Sequence, residues 1–136
     1  MKKITGFILI LLLTCIYGKS IAQTVSPAAP VKEKQYEMKQ YFLVMLSKGN
    51  NRTQDSSTAA RIQEGHMANI TRLAGEGKIV VAGPFGDDGN WRGIFIFDCK
   101  TKEEVESLIK TDPAIQTGRL SYEIKPWWTA KNCLFK

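Results

Sequence analysis

Tyr41-Phe42-Leu43-Val44-Met45-Leu46 is an unbroken apolar run rich in β-formers, closed by the turn-prone residues 47–52. Such a run, without alternation, reads as a strand buried on both faces. Working outward, residues 57–74 carry apolar side chains at helical spacing, and Gly75 and Gly77 stop the helix where left-handed backbone is cheap. Residues 78–83 (KIVVAG) read as a second strand. Pro84 to Asn90 is a loop whose Asp88-Gly89 signals a turn, so a hairpin returns residues 91–98 as a third strand. Within it Ile94, Phe95, Ile96 and Phe97 are again apolar on both faces. Thr101, followed by Glu103 and Glu104, opens a second helix through Lys110, because a hydroxyl cap and early acids satisfy its free N–H groups. Leu120, Tyr122 and Ile124 then alternate with Ser121, Glu123 and Lys125, the pattern of a half-exposed edge strand.

The order βαββαβ predicts an α+β, ferredoxin-like domain: right-handed crossovers give a four-stranded antiparallel sheet with two helices on one face. The first and third strands are then central and the fourth is an edge. Two helices cover only one face, yet the central strands are apolar on both. Leaving about five large apolar side chains in water would forfeit on the order of 10 kcal/mol, as much as the net stability of a small domain. A second copy packed sheet to sheet, a homodimer, is the simplest cover. The alternative is that the Trp127-Trp128 segment folds back under the sheet.

The first residues predict a compartment. Lys2 and Lys3 form a positive start, and residues 7–16 are an apolar stretch too short to span a bilayer. Small residues at Ser20 and Ala22 place a signal-peptidase cut before Gln23, so residues 1–22 read as a signal peptide and the mature protein as periplasmic or secreted, with no stable membrane span. Lipidation at Cys15 is disfavoured, since Thr14 is poor just before a lipidated cysteine. Residues 23–35 read as a flexible linker, residues 36–128 as the domain and residues 129–136 as a tail. Without Lys2, Lys3 and Lys19 the formal charge falls from +6 to +3, and no run of basic residues interleaved with aromatics remains, so nucleic acid is not an expected partner. Cys99 and Cys133 permit one disulfide in an oxidising compartment, and the parallel third and fourth strands, about 10 Å apart, give it a geometric rationale. Equally, Cys99 reads as a buried strand residue and Cys133 as a tail thiol.

His66 is the single histidine. At about 100° per residue, Ala59, Ile62, Ile70 and Leu73 fall within about 40° of it, so His66 lies in the middle of the buried stripe. A buried imidazole needs a hydrogen-bond partner, and Gly65 beside it, costing about 1 kcal/mol of helix stability against Ala, suggests a close backbone approach or a small cavity. His66 is either a satisfied core histidine or a functional one. Asp112-Pro113, with Gly118 as a stop, reads as an Asp-capped helical turn with proline at its first position.

Together the strand at residues 41–46, His66 with Ile70, Gly83-Pro84-Phe85, Gly93, Asp112-Pro113 and Lys125-Pro126-Trp127 resemble, in order and spacing, the YciI-like (YCII-related) family over residues 38–128. The resemblance implies the fold of the dimeric α/β barrels and a His-Asp active site at His66 and Asp112. The export signal, the two tryptophans and the tail with Cys133 depart from it.

Given that pair, Asp112 accepts from one ring nitrogen and leaves the other as a base. The chain has no Gly-x-Ser-x-Gly elbow, no phosphate-cradling loop and no metal-ligand cluster, so neither cofactor nor metal is expected. Proton abstraction beside a carbonyl, leading to isomerisation or elimination on a small carbonyl or cyclic compound, fits best, as a lyase or isomerase. Gly83, Pro84, Phe85 and Trp91 would supply pocket wall, and Arg92 an anion contact or a solvated strand-end charge. The rival is a non-catalytic small-ligand-binding or structural dimer, between which fold analogy cannot choose.

Overall fold

Phe42, Val44 and Leu46 alternate along β1 (Met38–Lys48) and are all buried, because β-strand pleating sends every second side chain to one face. The computed structural model describes residues 36–131. After β1 come α1 (Ser56–Gly75), β2 (Ile79–Pro84), β3 (Trp91–Phe97), α2 (Lys102–Ile109), the single turn α3 (Pro113–Gln116) and β4 (Leu120–Ala130). The strands form one antiparallel sheet in the order β2-β3-β1-β4, the ferredoxin-like arrangement expected, with β1 and β3 central.

Register decides the two faces. Phe42 lies opposite Phe97 and Val44 opposite both Phe95 and Ile124, and these residues form one core with Leu73 of α1 and Val105 and Ile109 of α2. Tyr41, Leu43 and Met45 share the other face with Ile94 and Ile96. Central residues are therefore apolar on both sides, as read from the run at 41–46. Tyr41 and Ile96 are already buried at 7% and 6% exposure, while Leu43, Met45 and Ile94 are half-buried. The apolar area left to cover is thus smaller than five fully exposed side chains.

Local chemistry sets the helix ends. Asp55 caps α1, its carboxylate accepting from the Thr58 N–H at 2.8 Å and from the Ser57 hydroxyl at 2.7 Å. At the other end Gly77 takes φ +70°, which lets Lys78 N–H reach the Leu73 carbonyl and Gly77 N–H the Ala74 carbonyl, closing a Schellman motif. Thr101 caps α2, accepting from the Glu104 N–H. Among the described residues no helix is long and apolar enough to cross a membrane.

Two expectations change at the carboxyl end. Trp127 and Trp128 do not fold back under the sheet: they continue β4, paired with Tyr41 and Gln40, because their backbone completes the β1 ladder. β4 itself reaches Ala130, beyond the boundary expected at residue 128. Among the described residues Cys99 has no disulfide partner. The expected leader, Cys15, the linker and Cys133 lie outside the described residues, and so does any Cys99–Cys133 bridge.

Candidate active site

α1 is amphipathic, and its buried residues are Ile62, His66, Asn69 and Leu73, one face at i, i+4, i+7 and i+11. His66 therefore points off the helix toward the sheet, where its ring lies 6.1 Å from that of Phe95. α3 is brought against α1 by the absence of a side chain at Gly65: a Cβ there would lie 2.9 Å from Pro113 Cγ. That is the close approach the glycine signalled in the sequence.

Asp112 is the N-cap of α3, and it is 1% exposed. Its Oδ1 accepts from the Ala114 N–H at 2.8 Å, and its Oδ2 lies 2.6 Å from His66 Nδ1. A carboxylate that takes a backbone N–H on one oxygen has only acceptors to offer on the other, so Nδ1 is assigned the proton, and in the neutral imidazole that tautomer puts the lone pair on Nε2. Asn69, one turn after His66, packs beside the partner: its Oδ1 accepts from Arg72 at 2.8 Å and lies 2.9 Å from the hydroxyl of Thr111, next to Asp112, which also donates to the Leu108 carbonyl at 2.7 Å. Asn69 escaped the sequence reading because a polar residue in a helical pattern is ordinarily assigned to the solvated side.

His66 borders a cavity of about 360 Å³ between α1 and the sheet. Leu46, Ile70, Phe95 and Leu120 give it an apolar wall, and Gly83, Pro84 and Arg92 border it from β2 and β3. Gly93 is required at its floor, since a Cβ there would stand 2.6 Å from the Gly83 carbonyl oxygen. The cavity walls thus include Gly83, Pro84 and Arg92 of the expected residues but neither Phe85 nor Trp91. Phe85 sits just past β2 at 40% exposure, and Trp91 pairs with Ser47 beyond a register shift at 48% exposure. Asp112 stands behind His66 rather than in the cavity wall. Gln63 also borders the cavity and carried no signal in the sequence.

At the other end of β1, a depression of about 480 Å³ is bordered by Lys39, Lys78, Asp98, Cys99 and Glu104. Two of its lysines are paired, Lys39 with Asp98 at 2.6 Å and Lys78 with Glu104 at 2.7 Å, and Lys100 also borders it. Burial, reinforced by the Glu104 carboxylate, pushes the Cys99 thiol up to about 11, so it stays protonated at neutral pH. Among the described residues, no three His, Cys, Asp or Glu side chains gather as a metal site would require.

Sheet order and helix placement define a ferredoxin-like α+β domain, with a histidine held by a buried carboxylate at the edge of an apolar cleft. The chain belongs to the YCII-related domain family, whose model matches residues 41–128. No curated protein matches it. Among solved structures it is similar to the 5-chloro-2-hydroxyhydroquinone dehydrochlorinase of Burkholderia phenoliruptrix AC1100 in complex with 2,5-dihydroxybenzoquinone, at 24% identity and a TM-score of 0.47, over 64% of this chain and 92% of that one.

Proposed function

We propose that this protein is an enzyme of lyase or isomerase type, in which the His66–Asp112 pair moves a proton on a small carbonyl or cyclic compound bound in the α1–sheet cavity. The observation that carries the reading is the 2.6 Å contact of Nδ1 with a buried carboxylate in a histidine that also borders the cavity; in this reading Nε2 is the nitrogen that meets the ligand. Nε2 takes a proton from the carbon beside the carbonyl, and the C–H electron pair moves into an enolate. Returning the proton at another carbon gives isomerisation; loss of a leaving group from the β-carbon gives elimination. Asp112 keeps the ring in the productive tautomer and stabilises the imidazolium while it lasts. The apolar wall of Leu46, Ile70 and Phe95 excludes water from the enolate.

The test is a pair of variants, His66→Gln and Asp112→Asn, assayed against a panel of quinones and cyclic ketones. Loss of turnover by about 10²-fold or more with an unchanged melting temperature is the expected result. Early melting with no panel compound ever converted by the parent protein would make the pair a structural contact and leave a binding protein as the better reading.

The proposal includes export, with cleavage before Gln23 to a periplasmic or secreted form, and a homodimer formed through the sheet face opposite the helices. The sequence of the first 22 residues supports the former, and the half-buried Leu43, Met45 and Ile94 support the latter. Amino-terminal sequencing of the protein recovered from its producing cells checks the cleavage site.

A further inference from the structure

Beside the His66 cavity lies a smaller one, of about 120 Å³, bordered by three arginines: Arg52 from the β1–α1 loop, Arg92 from β3 and Arg119 just before β4. The two cavities share Gln63, Arg92 and Leu120, so one ligand can occupy both. Among the described residues no carboxylate borders either of them. Arg119 Nη1 donates to the Gln54 side-chain carbonyl at 3.1 Å, and Arg52 Nη1 to the Arg119 backbone carbonyl at 3.2 Å; both partners are neutral. Arg92 alone meets an acid, Asp88 at 3.1 Å, and that carboxylate is 99% exposed, where water screens the pair.

The frame under these cations is rigid. Gly49 N–H bonds the Arg119 carbonyl, Asn51 N–H the Gly118 carbonyl and Asn51 Nδ2 the Thr117 carbonyl, each at 3.0 Å, stitching the loop after β1 to the loop before β4. A Cβ on Gly49 would collide with the Gly118 carbonyl, and Gly118 sits at φ +69°, so both glycines are required for this closure. Three arginines bordering one small space, with a single solvated counter-charge among them, make it electropositive and suited to an anion.

We propose that this arginine-bordered cavity is a carboxylate subsite, and that the ligand of the His66 cavity is a small organic acid whose carboxylate is held there while its reacting carbon lies at His66. The inference rests on the proton-transfer reading for its substrate class, but the subsite is defined by binding alone. A planar guanidinium fork matches a carboxylate with two parallel hydrogen bonds, and the shared Arg92 links that group to the apolar cavity that takes the rest of the molecule.

Calorimetric titration of the mature protein with benzoate, with the neutral isostere benzamide, and with inorganic phosphate as competitor tests the subsite. Benzoate is expected to bind at least about tenfold more tightly than benzamide, and Arg119→Gln or Arg92→Gln to weaken benzoate about tenfold and benzamide much less. Arg119→Lys, which keeps the charge, should recover part of the loss. Melting curves identify any variant that fails to fold, and the other arginine variant then decides. Equal binding of benzoate and benzamide, benzoate affinity indifferent to both arginine variants, or no benzoate binding by the parent protein overturns the proposal. Arginine-dependent binding of phosphate in place of benzoate overturns the carboxylate assignment. Since these titrations need no turnover, benzoate binding that depends on the arginines alongside a silent His66 assay would sink the enzymatic reading and leave the subsite standing.

Discussion

His66 and Asp112 are 46 residues apart in the chain, yet each satisfies the other's buried polar atom. Asp112 has two duties, capping α3 and holding the imidazole, so its substitutions should separate by chemistry. Asp112→Ala strips both partners at once and should destabilise the fold by about 3 kcal/mol in chemical denaturation. Asp112→Asn keeps the shape and is expected to cost less stability than activity. Cys99 offers a second residue-level check. With its thiol pushed up to about 11 by burial first and by Glu104 second, alkylation of the reduced protein should be slow at pH 8 and accelerate as the pH approaches 11. Glu104→Gln removes the repelling charge and should speed the reaction at pH 8, read by mass spectrometry; an unchanged rate would show that Glu104 does not matter to the thiol.

At the scale of elements, the site depends on how α1 begins and what it packs against. The Asp55 carboxyl is held down at about 2 by the Thr58 N–H it accepts from, and by the Ser57 and Thr58 hydroxyls. Its folded value lies below the ordinary 3.8, so the cap's contribution is present above that value and is lost as the pH falls toward 2. Asp55→Ala should therefore melt at lower temperature than the parent at pH 6, with the gap closing on acidification. Gly65→Ala carries two opposed effects: about 1 kcal/mol of helix propensity gained, and a Cβ driven against Pro113 Cγ at 2.9 Å. The contact should win, pushing α3 off α1 and lengthening the His66–Asp112 bond; loss of the downfield Nδ1 proton resonance would record it. The strands were legible because Val44 and its neighbours leave no polar face, and α2 because Thr101 and Glu104 announce its start. α1 begins at Ser56, one residue before the apolar spacing read from residue 57, because the Asp55 side chain caps its first turn.

For the molecule as a whole, the sheet face that carries Leu43, Met45 and Ile94 is only half-buried. The proposed dimer would cover it, and a charge at its centre should prevent that. Leu43→Lys is expected to halve the mass seen by light scattering at micromolar concentration without abolishing the helical circular dichroism. A parent protein that is itself a stable monomer under those conditions would end the dimer proposal. Trp127 pairs with Tyr41 and so lies on that same face at 39% exposure, while Trp128 pairs with Gln40 on the other face at 61% exposure.

Periodicity and punctuation in the chain alone were enough for the βαββαβ order, the strand positions, the buried histidine and the glycine beside it, because these depend on interactions between residues a few positions apart. The resemblance of ordered motifs pointed to Asp112 as the histidine's partner. Only the tertiary structure revealed that Asn69 packs beside that partner, that Phe85 and Trp91 stay outside the cavity, and that Arg52, Arg92 and Arg119 border one space beside it. The three arginines come from separate loops and strands, and no local pattern encodes their meeting: it follows from antiparallel pairing of β1 with β3 and β4, which carries the end of β1, the start of β3 and the start of β4 to the same end of the sheet.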